Sequence, residues 1–223
     1  MKMLKEKIKI FAVALFWLVL AGCHPNSVKD VEGNKYKTVT IGTQVWMAEN
    51  LKTTRYNDGT LIPEVTDNDT WAKLTSPAYS WYNNDSIENK KMYGAIYNWY
   101  AINTNRLCPT GWHVPADSEW TSMMTSFDDI KTTGGKLKEA GTTHWKIPNT
   151  GATNESGFMA LPGGYRSLDG IFNFIGLAGS WWSSTEYDNS SVLFYNLRYK
   201  YSLVYKYRSE KFCGFSVRCI KDH

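Results

Sequence analysis

Apolar and polar positions along the chain follow different rhythms, and each rhythm predicts a different element. Ile10 to Ala21 is an apolar run without a charge, preceded by Lys2, Lys5, Lys7 and Lys9 against Glu6. A bilayer span needs about 20 apolar residues, and the run has no polar face to present as a core helix. A basic start followed by a short apolar stretch is the order of a secretory signal. The run closes on Leu20-Ala21-Gly22-Cys23, where two small residues precede a thiol. That is the layout of a bacterial lipobox. Residues 1–22 are therefore expected to be a lipoprotein signal peptide, with Cys23 as the lipidated first residue of the mature chain. Stable anchoring takes more than one acyl chain. The expected location is the bacterial cell envelope, lipid-anchored, with the outer membrane favoured by His24 in place of an aspartate after the cysteine.

Behind the cysteine, residues 23–34 are polar and without period, and are expected to be a tether. Alternation starts at Lys35 to Ile41, with Tyr36, Thr38 and Thr40 to one side and Lys37, Val39 and Ile41 to the other. After Gly42-Thr43, β character resumes over Gln44 to Ala48, which predicts a hairpin whose leading glycine suits a type II′ turn. Asp67 to Lys91 is polar with interspersed rings and is expected to be a long irregular loop region. Tyr93 to Ile102 is a compact apolar block that periodicity leaves open between helix and strand. Trp120, Met123, Met124 and Phe127 fall on one helical face and predict a helix over Glu119 to Phe127. Asp117, Ser118 and Glu119 supply its first-turn acceptors. A second short helix is expected from Gly135 to Ala140. Ser191 to Tyr207 reads as a long β-hairpin and Phe215 to Ile220 as a final strand. Strands, then two helices, then strands make a single α+β domain over 35–222.

Composition changes the picture in two places. The 223 residues carry a formal net charge of +4, but the signal takes four lysines and one glutamate with it. The mature chain of 201 residues keeps 21 basic and 20 acidic residues, net +1, which gives no support to a nucleic-acid partner. Three cysteines remain, Cys108, Cys213 and Cys219, in a compartment that oxidises thiols. Three pairings are open. Cys108 with Cys219, cross-linking the middle of the chain to its end, is preferred, and a loop of that size stabilises by ~4 to 5 kcal/mol on chain entropy.

Reaction chemistry is thin. No Gly-x-Ser-x-Gly and no phosphate loop occurs, and Gly134-Gly135-Lys136 lacks the upstream glycine. Asp67-Asn68-Asp69 begins like a calcium loop but lacks its later glycine and glutamate, and reads better as a solvated turn. His113 and His144 have no nucleophile motif beside them and read as structural histidines. Glu186 and Asp188 are the carboxylates an acid and base would need. No catalytic residue, metal or cofactor is expected.

Aromatic residues are the remaining positive signal. Trp46, Trp99, Trp112 and Trp120 lie in patterned segments and are expected in the core. Trp71, Trp81, Tyr82, Trp145 and Tyr187 sit among Asn, Asp, Thr and Ser, where rings stack on sugar faces while amides and hydroxyls address sugar hydroxyls. These are the ligand-binding candidates, although loop packing explains the same rings equally well. Tyr199, Tyr201, Tyr205 and Tyr207, interleaved with Arg198, Lys200, Lys206 and Arg208, read as strands with snorkelling cations in preference to a polyanion site.

The segment Cys108-Pro-Thr-Gly-Trp-His-Val-Pro-Ala-Asp-Ser-Glu-Trp120 resembles the Fibrobacter succinogenes major paralogous domain of bacterial lipoproteins. Ile41-Gly-Thr-Gln-Val-Trp-Met-Ala-Glu-Asn-Leu51, Tyr93-Gly94, Ala160-Leu-Pro-Gly-Gly-Tyr-Arg166, Trp182-Ser-Ser-Thr-Glu186 and Gly214-Phe-Ser-Val-Arg-Cys219 match it in order, from about Asp30 to Asp222. Several of these elements are also similar to formylglycine-generating enzymes, and so imply a C-type-lectin-like fold whose terminal strand sits near the first helix. That resemblance supports the Cys108–Cys219 pairing. The catalytic cysteine pair of those enzymes is not matched, since no cysteine lies between Cys108 and Cys213. The calcium and sugar motifs of lectins are also missing, Ile147-Pro148-Asn149 having Ile147 where a carboxylate belongs. The expectation is a non-catalytic, lectin-like binding module for a glycan or surface protein, held to the membrane through lipid on Cys23. The alternatives are an envelope enzyme acting on polysaccharide through Glu186 and Asp188, and a structural component of a surface assembly.

Overall fold

The computed structural model describes residues 27–222. Cys23, the signal and the first part of the expected tether lie outside them. The remainder of that tether is folded. β1 (Ser27–Lys29) pairs with β2 (Lys35–Ile41), and the turn between them closes on the buried Asp30. Its carboxylate accepts from the Glu32 and Asn34 amides, the Asn34 side chain and the Tyr36 hydroxyl. One buried carboxylate organises this stretch, and a polar sequence without period gives no sign of it.

β2 continues through Gly42-Thr43 into β3 (Gln44–Met47) with Ile41 opposite Gln44, as expected. Gly42 takes a φ of 60°, which the tight turn requires. The expected irregular region 67–91 is ordered in short pieces: α1 (Asn68–Trp71), β4 (Tyr79–Ser80), a single 3-10 turn and α2 (Ser86–Tyr93). Asp67 and Asp85 start the two helices by accepting from first-turn amides. Capping thus replaces hydrophobic period as the helix signal there. The apolar block after it is both strand and helix, because β5 (Ile96–Asn98) runs into α3 (Trp99–Ile102) and Asn98 caps the junction.

β6 (Trp112–His113) leads to α4 (Asp117–Thr125), whose Trp120, Met123 and Met124 are buried as their spacing predicts. α5 occupies Thr133–Leu137, slightly earlier than expected. Then follow β7 (Gly163–Arg166), β8 (Phe172–Ile175), β9 (Ala178–Glu186), β10 (Ser191–Arg198), β11 (Tyr205–Glu210), β12 (Gly214–Phe215) and β13 (Ile220–Lys221). The described residues hold five α-helices, not two. The expected last strand is two, since the chain leaves one sheet after Phe215 and enters the other at Ile220.

The fold is α+β and mostly antiparallel sheet. One sheet has the order β1-β2-β3-β13-β6, so the terminal strand lies between early strands. The larger runs β11-β10-β9-β7-β12-β5-β4, with β8 on β7 and a single parallel contact between β7 and β9. Two apolar cores flank them, one including Tyr97, Trp182 and Phe215, the other Trp46, Trp120 and Phe158. The Cys108–Cys219 disulfide forms as expected, with Cα atoms 5.9 Å apart, and Cys213 stays a buried thiol.

Three fully buried cations hold the loops, and none has a buried carboxylate partner. Arg166 donates to the carbonyls of Gly170, Val65 and Thr66 between the rings of Trp71 and Phe172. Arg218 donates to Phe158 and Met159 carbonyls and to Asn50. Lys138 donates to the carbonyls of Thr150, Arg198 and Tyr201. Loop carbonyls removed from water need donors, and these side chains carry several donors each. Burial lowers all three, Arg166 to about 10, Arg218 to about 9 and Lys138 to about 8.

Candidate functional site

Four of the five loop aromatics proposed from sequence are core residues. Trp71 is fully buried beneath the Arg166 guanidinium, 4.3 Å from its ring centroid. Trp81 packs edge-on against Tyr79 in the first core, and Tyr82 lies against Phe172. Trp145 belongs to the second core, where its indole donates to the Ala160 carbonyl at 2.9 Å. No shared surface gathers them. Tyr187 alone is exposed, with the Arg208 guanidinium 5.1 Å from its ring.

The other chemical candidates are committed to structure. Asp188 closes its own turn by accepting from Ser190 and Ser191, bonds that hold it well below the usual carboxylate range. Glu186 pairs with Lys211 at 3.3 Å. For Asp188 to act as a general acid, the opposite shift would be required. His113 bridges Glu119 at 2.8 Å and Asp222 at 2.6 Å, and these carboxylates push it up to about 9. His144 pairs with Glu139. Asp67 caps α1. Among the described residues no three side chains are grouped to hold a metal ion, and no helix is long and apolar enough to cross a membrane.

A different constellation emerges on the larger sheet. In register across β9, β10 and β11, Trp182, Phe194 and Tyr207 form one row, Ser180, Asn196 and Tyr205 the next, and Ala178 and Arg198 a third. Cross-strand neighbours share a face, so the small Ala178 and Ser180 leave a trough beside Arg198. Around it the rings Phe174, Tyr165, Phe215, Phe194, Tyr207, Tyr205 and Tyr201 follow one another, each centroid 4.3 to 5.9 Å from the next. The row bends into a horseshoe. A cleft of about 220 Å³ is lined by Tyr165, Phe194, Tyr207, Phe215 and Arg198. A second of about 240 Å³ is lined by both ends of the row, Phe174 and Tyr201, again with Arg198.

Arg198 is exposed yet held from two sides. Its Nε donates to Asn196 Oδ1 at 2.9 Å, and the buried Asn196 donates in turn to Gly179 and Ser180. The backbone carbonyls of Arg198 and Tyr201 both accept from the buried Lys138 ammonium. Phe174, half exposed and stacked on Tyr165, has a φ of 66°, a conformation that costs a bulky residue about 1 to 2 kcal/mol and that collects at binding sites. Among the described residues the hydroxyls of Tyr165, Tyr201, Tyr205 and Tyr207 make no hydrogen bond, and no carboxylate pairs with Arg198 or Arg208. By contrast, the buried hydroxyls of Tyr36, Tyr97 and Tyr195 donate to Asp30, to the Thr53 carbonyl and to Asp117.

The sequence singles out the tyrosines and cations of 198–208, but favours strand packing for them over a polyanion site. Tyr165, Phe174, Phe194 and Phe215 come from separate strands and carry no joint signal until the strands pair.

No curated protein and no solved structure matches the chain. The family model of the Fibrobacter succinogenes major domain matches residues 39–221, from within β2 to the end of β13 and across both sheets, the disulfide and the horseshoe. The chain therefore belongs to the Fibrobacter succinogenes major domain family.

Proposed function

We propose that this chain is a lipoprotein of the bacterial envelope, anchored in the outer membrane through lipid on Cys23, and that its single domain binds a glycan without turnover. The observation that carries the reading is the horseshoe of rings with free phenol hydroxyls around a pre-held arginine. Rings offer apolar faces to sugar C–H groups, and free hydroxyls and amides address sugar hydroxyls. A C-type-lectin-like architecture is part of the proposal, supported by the terminal strand lying among the first strands of the domain. The anchor rests on Leu20-Ala21-Gly22-Cys23, with His24 favouring outer-membrane export. Commitment of Glu186 to Lys211 and of Asp188 to its turn favours binding over glycoside cleavage. Strand addition by a protein partner is disfavoured at the open edge of β11, where Lys206 and Arg208 are exposed, since charged side chains guard edges.

A glycan array probed with folded mature protein and with Tyr207→Ala tests the reading. Binding by the first and its loss in the second is expected. A blank array with folded protein overturns it.

A further inference from the structure

Charge is distributed unevenly around the horseshoe. Neither cleft is lined by an acidic residue, while Arg198 lines both and Lys200 and Arg208 lie at their rims. Elsewhere on β11 and just beyond it cations are paired, Lys206 with Asp117 at 3.1 Å and Lys211 with Glu186 at 3.3 Å. Arg198 makes its one side-chain hydrogen bond through Nε, which leaves both terminal nitrogens of the guanidinium available. An arginine fork with two free N–H groups matches a carboxylate in a bidentate geometry that a lysine lacks. Each cleft is smaller than a drug-sized site, which runs to about 300 to 1,000 Å³. A ligand built of linked rings, one unit in each cleft and its charge at the junction, fits the two together.

We infer that the glycan is acidic, a uronate-containing oligosaccharide whose carboxylate is held by Arg198 while its rings lie against Tyr207, Tyr165 and Tyr201. The inference rests on the glycan reading above and deepens it. Asn196 and Lys138 act as positioning residues, fixing the side chain and the backbone of Arg198 before the ligand arrives.

The test is calorimetric titration with an oligogalacturonate and with its full methyl ester, which keeps the skeleton and removes the charge. The acid is expected to bind more tightly by roughly tenfold or more, the weight of a charge-assisted hydrogen bond. Arg198→Gln should abolish that preference, and Tyr207→Ala should weaken acid and ester alike. Arg198→Lys, which keeps the charge and stem, should also lose most of the preference, and serves if the glutamine variant fails to fold. Equal binding of acid and ester overturns the inference and leaves the glycan reading standing. A preference that survives in Arg198→Gln and disappears in Lys200→Gln overturns it by moving the anion elsewhere. No binding of either probe overturns it too, and the array then decides the glycan reading separately.

Discussion

Two regions of this molecule are rich in aromatic rings, and they use them in opposite ways. In 71–82, Trp71, Tyr79, Trp81 and Tyr82 sit among polar residues, and all four are buried. In 165–215 the rings come from separate strands and alternate with charges only over 198–208, and Phe174, Tyr201 and Tyr207 are each more than a third exposed. Both regions reach an edge of the larger sheet, since β4 and β11 are its two end strands, but β4 is covered, and there a ring that can remove some 150 to 250 Å² from water goes inward. In the β10–β11 hairpin the inner strand β10 is mostly buried, whereas the outer strand β11 is mostly exposed. A polar neighbourhood in sequence is therefore a poor guide to exposure, and what covers the strand decides it.

The comparison is broken most forcefully at the buried rings. Trp145→Ala or Trp71→Ala should cost about 3 to 5 kcal/mol in urea unfolding, with glycan affinity unchanged in protein that remains folded. Loss of binding with intact stability would return those rings to the site. Opening the Cys108–Cys219 staple by the double serine variant should cost roughly 2 to 5 kcal/mol. It joins the segment before β6 to the residue before β13, and neither cysteine lines either cleft of the horseshoe, so affinity should again survive.

Lys138→Met sharpens the contrast, because Lys138 serves both regions. It packs 5.4 Å over the buried Trp145 and holds the carbonyls of Arg198 and Tyr201. Stability should fall by about 1 to 3 kcal/mol as carbonyls lose their donor, and affinity should fall with it. A variant that lost stability alone would separate the buried ammonium from the site.

A smaller effect is expected at His113. Its carboxylate partners raise it from 6.5 to about 9, so the stability the clamp lends is complete below about pH 6.5 and is lost as pH rises through about 9. Thermal melts of wild type and His113→Gln should differ at pH 6 and converge above pH 9, and a gap that widened with pH would contradict the clamp. The smallest stability change belongs to Tyr207→Ala, within about 0.5 kcal/mol for an exposed position, beside a large loss of binding.

Much of the scaffold was legible in the sequence. The β2–β3 hairpin announced itself by alternation around Gly42, α4 by the spacing of Trp120, Met123 and Met124, and the disulfide by family resemblance. The Asp30 turn and the helices capped by Asp67 and Asp85 were hidden, because single side chains organise them and hydrophobic period does not. The buried cations were equally hidden, since Arg166, Arg218 and Lys138 look like surface residues until their carbonyl partners converge. The site was legible only in part. Its tyrosines were visible at 199–207, but their partners Tyr165, Phe174, Phe194 and Phe215 join them through strand pairing alone.

Tyrosine and tryptophan footprinting by oxidative labelling, mapped by peptide mass spectrometry with and without oligogalacturonate, tests most directly where recognition lies. The expected result is labelling of Tyr201 and Tyr207 in the free protein and their protection by the ligand, with Trp71, Trp81 and Trp145 unlabelled throughout. Ligand protection at those three tryptophans, with Tyr201 and Tyr207 unaffected, would contradict it.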